Sequence, residues 1–191
     1  GIPAASKLAP MFFVLDLFQH LHVKPEVCGP GYHAHIEDLL RQKVEGTLLD
    51  KAGLIIAVQS CEMLDSGKLQ EGTGLILVPM KYRALVMQAF KNEVVDCEVV
   101  EVNKLGFFAT VGPLRIFVSK SAMPKGWEYI EDQVGVRGGG PAYLSPDKEK
   151  VVQRELAARV RLMSVRHDTD RMLAIGSIDG PFLGPVAVTS F

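Results

Sequence analysis

Phe108 is flanked in sequence by Lys104, Arg115 and Lys120. A flat ring with cations beside it is the set that a single-stranded nucleic acid needs, one partner for a base and others for the phosphates. A plainer reading is also open, in which Phe108 packs beneath a loop or against another domain. Two histidine pairs, His20-x-His22 and His33-x-His35, are the clustered metal-type ligands. Neither has an acidic or cysteine partner at ligand spacing, so solvated histidines are the expectation and no metal is implied. Gly138-Gly139-Gly140 is followed by no Gly-Lys-Ser/Thr and feeds no helix, so it is not a phosphate loop. No serine or cysteine stands in a nucleophile motif with a placed histidine, and no carboxylate pair suggests acid–base work.

The elements that must position Phe108 are short and β-rich. Runs 94–102 and 107–111 flank the turn 103–106, and a third run, 114–118, follows Gly112-Pro113. Val, Ile and Phe fill the runs while Asn, Gly and Pro punctuate them, which is a hairpin pattern. Side chains alternate between faces along a strand. Leu105, Phe107, Ala109 and Val111 therefore form a predicted interior, with Gly106, Phe108 and Thr110 outside. Residues 155–165 alternate as well, and 172–178 close what reads as a small antiparallel barrel. Between them, 124–150 reads as a long inserted loop.

Upstream, 12–18 is an apolar first strand. Ile36, Leu39, Leu40 and Val44 form one stripe of a helix over 32–44. A central strand at 54–58 follows, then strands at 75–78 and 82–90 with Pro79 marking a bulge or an edge. The predicted class is α+β, with three segments: an extension or tag at 1–10, an α+β domain at 11–90 and a barrel at 91–191.

The composition agrees with a globular chain, 48% hydrophobic and 23% charged, with net charge −1. No basic field pulls the whole molecule onto nucleic acid, so RNA binding would be local. Three scattered cysteines suggest neither zinc nor a redox motif and fit a reducing compartment. No apolar run reaches the roughly 20 residues of a membrane span.

Residues 91–119 resemble the OB-fold domain of the family of seventh-largest, or stalk, subunits of RNA polymerase II. Lys91, Glu93-Val94-Val95-Asp96, Val102-Asn103-Lys104, Gly106, Phe108, Gly112-Pro113 and Phe117-Val118-Ser119 fall in the family's register, with Asn92 where the family has glycine. The likeness extends through Val44-Glu45-Gly46-Thr47, Val78-Pro79, Lys81-Tyr82, Ala174-Ile175-Gly176-Ser177 and Leu183-Gly184. Gly180-Pro181-Phe182 replaces the family's D-D-Y.

The resemblance implies a ferredoxin-like (truncated RRM-like) domain followed by an OB barrel, in a nuclear, non-catalytic subunit without cofactor or membrane contact. It implies a heterodimer with the fourth-largest subunit, docking on core subunits near the clamp, a role in initiation, and binding of nascent single-stranded RNA. Carried onto this chain, the RNA face is Phe108, Arg115, Phe117 and Ser119, with Lys104, Lys120 and Arg161 steering phosphates. Phe117 reads equally well as barrel core. The core-facing tip falls on Pro25, Gly29, Pro30, Gly67 and Gly72, where turn chemistry is an equal explanation. The stalk subunit of another polymerase (I, III or archaeal) and a free-standing OB-fold RNA-binding protein are the alternatives.

Overall fold

Residues Phe12–Val23 form one long strand, β2, which continues past the apolar run 12–18. Leu15, Leu21 and Val23 point to one side and are buried. Asp16 points to the other, where its carboxylate accepts from Arg83 Nε at 3.0 Å and is held below its ordinary pKa mainly by that hydrogen bond. An acid within an apolar run is thus explained by a cross-strand cation.

The computed structural model describes residues 6–9, 11–49, 53–131, 139–168 and 171–186. The chain divides into two units, 1–88 and 89–191. In the first, β1 (Ser6–Ala9), β2, β3 (Leu48–Leu49), β4 (Gly53–Met63) and β6 (Ile76–Met87) form an antiparallel sheet in the order β1-β2-β6-β4-β3. A short β5 (Lys68–Leu69) pairs with β6. Helix α1 (Tyr32–Val44) covers one face, with Ile36, Leu40 and Val44 buried against Leu15, Val58, Val78 and Met80. Burying each such side chain contributes about 1.5–3 kcal/mol, which is what fixes the helix to the sheet.

The expected break at Pro79 does not occur. β6 is a single 12-residue strand, with Pro79 paired to His20. Proline is tolerated because the β4 ladder ends at Met63–Met80, so no amide is demanded of it. Its carbonyl still accepts from Leu64 N at 3.0 Å.

The end of α1 is clamped to the β4 bulge around Val58–Ser60. Arg41 Nη1 donates to the Val58 carbonyl at 2.5 Å, and the Glu45 carboxylate accepts from Val58 N at 2.9 Å. A bulge leaves backbone groups without ladder partners, and these two side chains supply them. Glu45→Ala is expected to cost about 1–2 kcal/mol, because it orphans a part-buried amide, while Glu45→Gln keeps the acceptor and most of the stability. A urea titration of each variant checks this.

In the second unit, β7 (Val94–Asn103), β8 (Gly106–Val111), β9 (Leu114–Ser119), β13 (Ala157–Asp168) and β14 (Arg171–Ser177) run in the order β14-β9-β8-β7-β13. The β13–β14 pairing closes the barrel. Only β9 and β14 are parallel. Phe107, Ala109, Ile116, Val118, Val160 and Leu162 fill the interior. Cys97 is buried there too, its thiol pushed up to about 12 chiefly by burial. A thiol so protonated is inert at neutral pH.

Three sequence expectations change here. Leu105 is 74% exposed rather than interior, because it sits in the turn, where Asn103 Oδ1 accepts from its amide at 2.9 Å. The insertion is not merely a loop: β10 (Glu128–Ile130), β11 (Ala142–Leu144) and β12 (Val151–Gln153) form a small antiparallel sheet. Its Tyr143 is buried and its hydroxyl donates to the Asn103 carbonyl at 2.7 Å. Finally, the glycine- and proline-rich tail contributes β15 (Gly184–Pro185), paired with Ala158 and Arg159.

Candidate nucleic-acid interface

The barrel's register carries one row of outward side chains across four strands. Phe108 on β8 faces Phe117 on β9, Phe117 faces Ile175 on β14, and Ile175 faces Ser164 on β13. The neighbouring row runs Thr110, Arg115, Leu173, Arg166. The residues between them on β8, β9 and β14, Ala109, Ile116 and Ala174, are buried, as is Phe107 on the other side of Phe108. The outer assignment of Phe108 therefore stands, and of the two readings of Phe117 the outer one is right.

Phe108 and Phe117 touch with ring centroids 4.8 Å apart and planes tilted by 41°. The Arg115 guanidinium lies 4.6 Å from the Phe108 centroid, a cation–π contact. Arg115 Nη2 is also 3.8 Å from Glu101 Oε2, an exposed pair of small energetic weight. Arg115 thus lies over the Phe108 ring with Glu101 beside it.

The other site residues lie around this cluster. Lys104 occupies the β7–β8 turn and pairs with Glu131 at 2.6 Å. That hydrogen bond raises the Lys104 pKa and lowers that of Glu131. Because the Glu131 value is depressed in the folded state, the pair persists above the ordinary carboxylate range of about 4.3 and is lost as pH falls through the lowered value. Lys120 ends up beside the same turn, its amide donating to the Leu105 carbonyl at 2.9 Å. Ser119 shares a hydrogen bond with Ser121 at 2.7 Å. Arg161 lies on β13 opposite Ser177, across β14 from the end of β9.

Four residues of this face escaped the sequence reading: Ser164, Arg166, Leu173 and Ile175. With Phe108, Arg115 and Phe117 they line a groove of about 400 Å³. A signal existed. Met172, Ala174 and Gly176 alternate with Leu173, Ile175 and Ser177, and Gly176 must face inward. A Cβ there would lie 2.3 Å from Val160 Cγ1. The apolar character of both faces hid the alternation.

In the first unit the tip candidates fall on two loops. Pro25 opens a 3-10 turn, Pro25–Val27, and Gly29 and Pro30 are exposed in the turn before α1. Gly67 and Gly72 have φ of 101° and 91°. The loops meet where the Tyr32 hydroxyl donates to the Ser66 carbonyl at 3.5 Å. Gly67 has a packing reason as well, since a Cβ would lie 2.6 Å from Ile76 Cγ2.

His20, His22, His33 and His35 are all exposed. Among the described residues no group of three or more His, Cys, Asp or Glu is placed to hold a metal. Gly138 lies outside the described residues, and the Gly139 carbonyl accepts from Gln153 Nε2 at 2.8 Å.

In chain order, an antiparallel sheet covered by one helix is followed by a closed five-stranded barrel of OB order. Residues 19–74 match the SHS2 domain found in the N terminus of Rpb7p/Rpc25p/MJ0397. Over 176 residues the chain is 36% identical to DNA-directed RNA polymerase II subunit rpb7 of Dictyostelium discoideum, covering 92% of this chain and 99% of that one. It is 32% identical over 178 residues to the RPB7 subunit of Saccharomyces cerevisiae, covering 92% and 100%. RNA polymerase IV subunit 7 of Arabidopsis thaliana is 31% identical over 138 residues, covering 70% and 74%. The chain belongs to the RNA polymerase II subunit 7 family.

Proposed function

We propose that the chain is a non-catalytic stalk subunit of nuclear RNA polymerase II, and that it forms a heterodimer with the fourth-largest subunit and assists initiation. In this reading loops 25–31 and 64–74 dock on the polymerase core near the clamp, and the barrel's outer face binds nascent single-stranded RNA. The observation that carries the assignment is the end-to-end likeness to subunits named for polymerase II. Matches to the polymerase V and IV subunits cover 81% and 70% of the chain, so the polymerase II form is favoured over its relatives.

Docking by the loops draws support from Leu64 and Leu69, which are 52% and 67% exposed beside Gly67. Apolar side chains held out on a bend and on the short β5 suit an interface that is covered in the assembly. RNA binding draws support from the Phe108–Phe117–Arg115 cluster. One aromatic platform is worth about 1–3 kcal/mol per base, so binding is modest and tolerant of sequence.

Lys104 reaches RNA only by leaving Glu131. Glu131→Gln is therefore expected to strengthen RNA binding by a few-fold. It is also expected to steepen the slope of log K against log salt by about 0.7, one more phosphate neutralised. Fluorescence anisotropy across a salt series tests both values. An unchanged slope would remove Lys104 from the interface.

A further inference from the structure

We infer that the RNA site extends beyond β8 and β9 onto β14 and β13, where Ile175 and Leu173 form a second, aliphatic base platform and Arg166 binds a phosphate. This rests on the reading of the barrel's outer face as the RNA surface.

Exposure makes the first part of the case. Leu173 and Ile175 are 40% and 50% exposed on a strand whose alternate residues, Met172 and Ala174, are buried. Neither is needed to fill the barrel. Held outward, such side chains add only modest cross-strand pairing to the fold, and they carry a solubility cost.

Continuity makes the second. Ile175 is the direct cross-strand neighbour of Phe117, and Leu173 that of Arg115. The apolar strip therefore begins at the aromatic pair and runs on without a break. Phe108 is partly occupied by its own neighbours, Arg115 over its ring and Phe117 against it. The open apolar surface lies on the Phe117 side, towards Ile175.

Charge makes the third. Arg115 and Arg166 flank Leu173 on its two neighbouring strands, two strand spacings or about 10 Å apart. Arg166 is exposed. Planar guanidinium groups pair with phosphate oxygens in a bidentate way. The Ser164 hydroxyl, beside Ile175, supplies a donor and acceptor for a base edge or a ribose hydroxyl. An apolar strip bordered by guanidinium groups and a hydroxyl is chemically matched to a stacked, charged, single-stranded chain.

The test uses the full-length protein and two labelled single-stranded RNAs. One is about four nucleotides long and the other about ten, which brackets the footprint of an OB fold. Binding is read by anisotropy. Arg166→Gln/Ile175→Ser is expected to weaken binding of the longer RNA by about tenfold and to flatten its salt slope by about 0.7. The short RNA, held at Phe108, is expected to bind as before. Phe108→Ala is expected to weaken both. Both positions in the double variant are exposed, and Arg166→Gln alone gives the salt slope without touching the apolar strip. If the double variant binds both RNAs like the parent, the second platform is wrong and the Phe108 site stands. If the parent protein binds neither RNA, both readings fall.

Discussion

Phe107→Ala is expected to unfold the barrel under conditions where its neighbour, Phe108→Ala, leaves the barrel intact and loses RNA instead. The two residues are adjacent, identical in type, and on opposite faces of β8. Phe107 is fully buried in the barrel, while Phe108 lies half-buried on the outside against Phe117. Removing the Phe107 ring leaves a cavity in a closed barrel whose strands cannot collapse inward. The cost is about 3–5 kcal/mol, a large share of the stability of a domain this size. In a thermal melt this corresponds to a drop of about 12 °C or more for a unit of roughly 100 residues. Trp127, the chain's one tryptophan, is buried in the same unit and reports the transition. Phe108→Ala removes a ring that is already partly in water. Its stability cost is expected to stay near 1 kcal/mol. Its RNA affinity is expected to fall by about 5- to 150-fold, the equivalent of one stacked base. Equal melting temperatures for the two variants would contradict the assignment of faces on which the interface rests.

Gly106→Ala is the second large effect. Gly106 opens β8 opposite Ser119, and an ideal Cβ there would sit 2.0 Å from the Val118 carbonyl oxygen and 2.9 Å from Ser119 Cα. Both obstacles are backbone of the paired strand, so no rotamer change relieves them. Either the β8–β9 ladder opens at this end or the turn 103–106 rebuilds, and the expected loss is about 2–4 kcal/mol. The same change moves Lys104 and Lys120, which the turn holds near each other, so RNA affinity is expected to fall with stability. Gly46→Ala is the matched control. Gly46 has φ of 78° but nothing within 4 Å of its Cβ position, so only backbone strain of roughly 1–2 kcal/mol is expected. A urea midpoint for Gly106→Ala no lower than that for Gly46→Ala would show that the close approach is relieved cheaply.

How much of this was legible in sequence follows from what each signal encodes. The alternation of 107–111 and the hairpin punctuation around it placed three strands and put Phe108 outside, because a strand with one buried face prints its period directly. The helix was legible for the same reason, through Ile36, Leu40 and Val44. Leu105 misled because alternation was extended into a turn, where local hydrogen bonding to Asn103 decides orientation. Pro79 misled because its tolerance depends on where a partner strand stops, which is a tertiary fact. Strands of three residues between glycines and prolines, as at 128–130 and 142–144, carry too little pattern to register. The second half of the candidate RNA face was hidden because residues 172–176 are apolar or small on both faces. Its juxtaposition with Phe117 also depends on a parallel pairing between strands far apart in the chain. Arg115's position over Phe108, like the Lys104–Glu131 pair, is a side-chain geometry that spacing does not specify.

The central claim is that this chain works as part of RNA polymerase II, and its most direct test is co-purification. The full chain, tagged and expressed in its native host, would be recovered from nuclear extract at moderate salt and its partners identified by mass spectrometry. The account predicts the large catalytic subunits of RNA polymerase II together with a small helical subunit, in stable proportion to the bait. Recovery with the subunits of another polymerase would move the assignment within the class. Recovery with no polymerase subunit at all would contradict the account and leave the barrel as an independent RNA-binding module.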